Sequence, residues 1–131
     1  MDVKLQPSAA QRRAIPSAAG WGLVAFKMLI DTGADHTAVD VAKIAPWNLY
    51  PATFYLSQSM GSLNTVQVFE LAISIFGSTG QLEWNIDPLL VTARTGSPFD
   101  GLPYHGVIGR DVLDQGLLVY NGAASHCTLG Y

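Results

Sequence analysis

The chain has 131 residues, of which 49% are hydrophobic and 13% are charged, and its formal net charge is −3 at pH 7. This length suffices for one domain with its own core. The single cysteine, Cys127, excludes an internal disulfide and fits a reducing compartment. The negative net charge gives no support for nucleic-acid binding. Because charged residues usually make up about 25% of a soluble domain, the low fraction predicts that surface is covered in a subunit interface.

Residues 1–20 are predicted to form a flexible N-terminal arm outside a folded domain of residues 21–131, because residues 6–20 mix Pro, Ser, Ala and Gly. No secretory signal is predicted, since Arg12 and Arg13 are followed by Pro16 rather than by a long apolar segment. No membrane segment is predicted either, because the best apolar run, residues 21–30, falls well short of the about 20 residues needed. The compartment is left open between the cytoplasm and excision from a larger precursor.

From Trp21 onward the chain is predicted to be mostly β. Short apolar runs bounded by turn residues are typical of strands, and they occupy residues 23–30, 66–76, 88–91, 106–108, 117–120 and 127–129. The turn residues 77–80 predict a hairpin of residues 66–76 with residues 81–86. Helix is scarce: residues 111–115, followed by Gly116, predict one short helix with glycine as its C-terminal stop.

The first of these strands ends abruptly in a carboxylate. The apolar residues up to Ile30 are followed by Asp31, Thr32 and Gly33. Glycine allows a sharp turn and the close approach of a ligand, and the threonine hydroxyl can hydrogen-bond locally or across an interface. On this tripeptide alone, a structural turn in which Asp31 bonds nearby backbone amides is the simpler interpretation.

Two segments together resemble the signatures of the retropepsins, the small single-lobed aspartic proteases of retroviruses and their relatives. The first is Ile30-Asp31-Thr32-Gly33-Ala34-Asp35, and the second is His105-Gly106-Val107-Ile108-Gly109-Arg110-Asp111-Val112-Leu113. The resemblance covers much of residues 21–131, with an insertion expected between residues 77 and 104. It implies an all-β fold: a closed β-barrel with one short C-terminal helix, assembled as a homodimer.

The resemblance also implies an aspartic-type endopeptidase with Asp31, Thr32 and Gly33 as catalytic residues. The chain has one Asp-Thr-Gly, so each subunit would supply one Asp31 and a C2 homodimer would complete the site. Two neighbouring carboxylates share a proton; one then activates a water and the other polarises the scissile carbonyl of a polypeptide substrate. Thr32 would bond across the dimer. No metal or cofactor is required.

Further positions follow from the same resemblance. Residues 57–64 are expected to form a flap, although this segment has one glycine where viral flaps are glycine-rich. Asp35 is expected to form a structural ion pair with Arg110 under the active-site loop, because the planar fork of arginine suits a carboxylate. The expected substrate-binding residues are Gly33, Ala34, Asp35, His36, Ser59, Met60 and Gly61.

Three alternatives are weighed against this interpretation. The spacing from Asp31 to Thr37 also fits the phosphate-binding hairpin of the actin-like kinase and chaperone superfamily, but that fold needs two lobes larger than 131 residues supply. A metal site is not predicted, because His126 and Cys127 are adjacent and the other histidines are isolated. A catalytically silent retropepsin-like module for dimerisation or peptide binding stays open.

Overall fold

The computed structural model describes residues 1–15, 21–59, 61–96 and 98–130. Within these ranges the chain is mostly β, which confirms the predicted fold class. The strands are β1 (Asp2–Pro7), β2 (Val24–Ile30), β3 (Ala38–Asp40), β4 (Thr53–Ser59), β5 (Ser62–Phe76), β6 (Leu82–Arg94), β7 (Gly106–Ile108), β8 (Leu117–Asn121) and β9 (His126–Gly130). The helices are α1 (Ala9–Ala14), α2 (Val41–Ile44), which runs into a 3-10 turn over Ala45–Trp47, and α3 (Arg110–Leu113).

Six of the described strands close into a barrel. Hydrogen-bonded neighbours follow the order β1, β2, β7, β3, β6 and β5, and β5 pairs again with β1. β4 lies outside this ring as the hairpin partner of β5, and β8 pairs with β9 in a separate two-stranded sheet. The closed barrel expected from the resemblance is thereby confirmed.

The barrel is filled by the inward-facing residues of its strands. On β2, Phe26 and Met28 are buried while Ala25 and Lys27 are exposed, as a period of two requires. β5 buries consecutive residues over Leu71–Ile75 because it has neighbours on both faces.

The prediction of a flexible arm over residues 1–20 is wrong for the part that forms β1 and α1. β1 pairs antiparallel with both β2 and β5, with Val3 opposite Phe26 and Ile75, and its residues Val3 and Leu5 are fully buried. α1 follows β1, and its first amide is held by the Asp87 carboxylate at 3.1 Å. Residues 16–20 lie outside the described part of the chain.

Other predicted elements are found with shifted limits. The hairpin of β5 with β6 is confirmed, but β6 is one long strand that includes Pro88 rather than two runs. The predicted C-terminal helix is confirmed as α3, one residue earlier than expected, and the described residues contain α1 and α2 in addition. No helix among the described residues is long and apolar enough to cross a membrane.

Candidate active site

The Asp31 turn follows directly from a parallel strand pair. β2 runs beside β7, with Ile30 opposite Ile108, and the Asp31 amide donates to the Ile108 carbonyl at 3.0 Å. Beyond β2 the chain turns: the Gly33 amide donates to Asp31 Oδ1 at 2.9 Å, and the Ala34 amide donates to the Asp31 carbonyl at 3.2 Å. Asp31 therefore does hold a structural turn by accepting a nearby backbone amide, as the simpler interpretation of the tripeptide predicts.

The structural turn uses only one of the two carboxylate oxygens of Asp31. Asp31 is half-buried, and its Oδ2 accepts no hydrogen bond from the described residues, whereas Oδ1 holds the turn. Thr32 and Gly33 are exposed beside it. One carboxylate oxygen of Asp31 is thus left free for chemistry or for a partner.

The turn is tied to α3 by a hydrogen-bond network around the buried Thr37. The Thr37 hydroxyl donates to Asp111 Oδ1 at 2.7 Å and accepts from the Gly109 amide at 3.1 Å, while the Thr37 amide donates to Asp111 Oδ2 at 2.8 Å. The Thr37 carbonyl accepts from both the amide and the hydroxyl of Thr92 on β6. This network fixes the Asp31 loop against both α3 and β6.

Glycine at position 109 makes this contact possible. A Cβ placed on Gly109 would lie 2.5 Å from the carbonyl carbon of His36. Any side chain there would push α3 away from the loop and break the network around Thr37 and Asp111. The segment of residues 105–113 therefore needs glycine at position 109, where it contacts the backbone of His36.

Asp35 and Arg110 lie together on the outside of the same junction. The Arg110 guanidinium contacts the Asp35 carboxylate, and the Arg110 amide donates to the Ala34 carbonyl at 2.8 Å. The two side chains are 53% exposed for Arg110 and 68% exposed for Asp35, so this ion pair is on the surface and not beneath the loop as expected. The less exposed acid at the junction is the half-buried Asp111, to which the sequence assigned no role.

A cleft of about 460 Å³ opens beside the turn. One wall is formed by Gly33, Ala34, Asp35 and His36, the opposite wall by Tyr55, Leu56 and Ser57 of β4, and the floor by Thr92 and Arg94 of β6. The His36 and Tyr55 rings meet across it, with centroids 6.1 Å apart. The predicted residues Gly33 to His36 therefore share one cleft wall.

Residues 57–64, the segment expected to form a flap, lie at the tip of the β4–β5 hairpin. Ser59 pairs with Ser62, and Gly61 has a φ of +80°, which glycine adopts without strain. Leu56 and Leu63 on this hairpin are exposed. Ser59 and Gly61 lie at the tip, beyond the part of β4 that lines the cleft, and Met60 lies outside the described residues.

The remaining polar residues do not assemble a metal centre within the described ranges, where no group of three or more His, Cys, Asp or Glu side chains is close enough to hold an ion. His105 is used structurally: its Nδ1 accepts the Lys27 amide at 3.2 Å. Cys127 is a free, exposed thiol on β9.

No protein-family model and no curated protein matches the sequence. Among solved structures, the chain is similar to the EIAV protease complexed with the inhibitor HBY-793, with a TM-score of 0.37 and 22% identity over 70% of this chain and 76% of that chain. A likeness this loose does not transfer a function. The function of the chain has to be argued from its own residues.

Proposed function

We propose that the chain is one subunit of a homodimeric aspartic endopeptidase that hydrolyses peptide bonds in extended polypeptides. The observation that carries the proposal is the free Oδ2 of Asp31, on a turn anchored by Thr37 and Asp111 and continued by residues Gly33 to His36, which line a cleft. Holding the turn uses Oδ1 alone, which leaves Oδ2 for the reactants.

One subunit supplies one carboxylate, so the reaction needs a second copy. A two-fold axis near Thr32 and Gly33, which are exposed, would bring the two Asp31 side chains together. The pair then holds one proton between its members, because two adjacent carboxylates do not both ionise readily. The Thr32 hydroxyl is available to bond across this axis, since no described residue of its own subunit accepts or donates to it.

The proposed chemistry assigns each carboxylate a task. The ionised Asp31 takes a proton from a bound water, which attacks the scissile carbonyl, while the protonated Asp31 donates a hydrogen bond to the carbonyl oxygen. The resulting tetrahedral intermediate collapses as a proton passes to the leaving amine. The rigid turn supports this role because it fixes Oδ1 through the Gly33 amide and leaves Oδ2 to the reactants.

The cleft favours an extended peptide as the substrate. It is bordered by the segment from Gly33 to His36 and by β4, so a peptide chain between them would have backbone groups on both sides. The β4–β5 hairpin, with its exposed Leu56 and Leu63, is proposed as the flap that covers the peptide.

Replacing Asp31 by asparagine tests the proposal. The amide side chain keeps an oxygen for the Gly33 amide but loses the ionisable group, so cleavage of a random peptide library should fall by at least about a hundredfold. Asp114→Asn, an exposed substitution at the end of α3, serves as the matched control and should retain activity. Cleavage by the Asp31 variant at the wild-type rate would refute the proposal.

A further inference from the structure

The floor of the cleft carries an arginine that the proposed chemistry does not use. Arg94 is the last residue of β6, is half-buried, and lines the cleft together with Gly33, Asp35 and Ser57. It also borders a second cleft of about 270 Å³, together with Thr65 and Thr95. Arg94 therefore borders the space that a bound peptide would occupy.

No acid near Arg94 forms an ion pair with it among the described residues. Asp40 is its neighbour across the β3–β6 pairing, and Asp40 Oδ1 accepts the Ala42 amide at 3.0 Å. Asp35, on the cleft wall, is in contact with Arg110. Within the described ranges Arg94 has no ion-pair partner, although a guanidinium presents five donors in a fork that matches a carboxylate.

We propose that Arg94 makes this cleft select peptides with an Asp or Glu side chain at the position that crosses the cleft floor. The inference rests on the proposed function and names its substrate class. A carboxylate matches the guanidinium in charge, whereas a doubly charged phosphate would leave one negative charge unbalanced in a cleft that also contains Asp35. The two-fold axis repeats Arg94, so two substrate positions on opposite sides of the scissile bond should show the preference.

A glutamate scan measures this selectivity. One Glu is moved position by position through an uncharged apolar peptide, and Gln at the same position is the matched partner. At the two favoured positions kcat/KM should be about tenfold higher for Glu than for Gln, the ratio expected for a hydrogen bond to a charged group. Binding of the same peptides to the Asp31→Asn chain, followed by fluorescence anisotropy, should give a Kd about tenfold lower for Glu than for Gln.

Variants assign the ratio to one side chain. Arg94→Met keeps the length of the stem and should bring the Glu/Gln ratio close to one, Arg94→Lys should retain part of it, and Arg94→Glu should favour Lys peptides instead. Arg13→Met removes the same charge from an exposed position on α1 and should leave the ratio unchanged. Melting temperatures confirm that each variant is folded.

The outcomes separate this inference from the proposed function. Cleavage with equal rates for Glu and Gln at every position, or a full ratio in folded Arg94→Met, would overturn the role of Arg94 and leave the protease proposal intact. Selective binding without any cleavage would support the role of Arg94 and overturn the protease. Neither binding nor cleavage would overturn both.

Discussion

At the scale of single residues, the buried hydroxyl of Thr37 is the contact that holds the Asp31 loop in place. It has no exposure to solvent, and it satisfies both the Asp111 carboxylate and the Gly109 amide. A buried donor or acceptor that loses its partner costs about 1–3 kcal/mol. The Thr37 hydroxyl should therefore contribute measurably to the stability of the loop, beside the backbone hydrogen bonds that also hold it.

Thr37→Val removes this oxygen and keeps the shape of the side chain. We expect the free energy of unfolding to fall by about 2 kcal/mol, because the Gly109 amide and Asp111 Oδ1 each lose a partner. Chemical denaturation measures the change. Thr37→Ser keeps the hydroxyl and should cost only about 1 kcal/mol for the lost methyl group; equal losses in the two variants would contradict the role of the hydroxyl.

Arg110 should contribute much less to stability than its place in the second signature implies. Its side chain and that of Asp35 are both more than half exposed, and exposed ion pairs are typically worth about 0–1 kcal/mol. We expect Arg110→Ala to lower the free energy of unfolding by less than about 1 kcal/mol, with a smaller effect at high salt. A loss of several kcal/mol in denaturant titrations would instead show that the pair is buried in the assembled protein.

The residues of the site differ in how readily the sequence reveals them. The sequence singles out Asp31 only when the Asp-Thr-Gly segment is considered together with residues 105–113, because the tripeptide alone is explained by a turn. The role of Asp111 could not, because an acid at the start of a helix is ordinarily explained by the helix alone. Arg94 was missed because a charged strand end is normally solvated, and only the fold brings it beside Gly33 and Asp35.

At the scale of the elements, the β-rich fold could be predicted and the role of the N-terminal segment could not. β1 has only three inward-facing apolar residues, Val3, Leu5 and Pro7, and a short alternating run before a Pro- and Ala-rich stretch gives a weak signal. Its partners are distant in sequence: Leu5 lies opposite Val24 and Ile73. Strand pairing between residues so far apart in sequence depends on the whole barrel, so no local sequence pattern predicts it.

The β4–β5 hairpin is the element that we expect to respond to a bound peptide. Its tip turns at Gly61, and its cleft side carries Tyr55 and Ser57. A statine-type inhibitor, which resembles the tetrahedral intermediate, should slow amide exchange over residues 57–64 at least several-fold as the hairpin closes. Exchange in α1, away from the cleft, is the internal control and should not change. Equal exchange at the tip with and without inhibitor would leave the hairpin a fixed surface feature.

At the scale of the whole molecule, the surface retains apolar groups that a subunit contact would cover. β8 and β9 pair only with each other among the described strands. Leu118 and Leu129 pack against the core, while Leu117, Val119 and Tyr120 are exposed. Because only 13% of the residues are charged, we expect the second subunit to cover this sheet.

Activity should therefore depend on protein concentration and on pH together. One Asp31 per chain means that monomers are inactive, so specific activity should fall on dilution below the Kd of the dimer. Turnover needs one proton on the Asp31 pair, whose two ionisations belong to the pair as a unit. The rate should fade at high pH as the second carboxylate ionises, and at low pH as both become protonated, which gives a bell-shaped profile with its optimum on the acid side of neutrality.

A dilution series assayed at several pH values, with the oligomeric state followed by analytical ultracentrifugation, tests both parts. Val119→Lys places a charge on the exposed face of β8 and should move the loss of activity to higher protein concentration, whereas Ala10→Lys on α1 should not. Rescue of the diluted Val119 variant by added protein would tie its defect to assembly rather than to folding. Constant specific activity at concentrations where only monomer is present would refute the shared site, because a single Asp31 cannot hold both the ionised and the protonated carboxylate that the reaction requires.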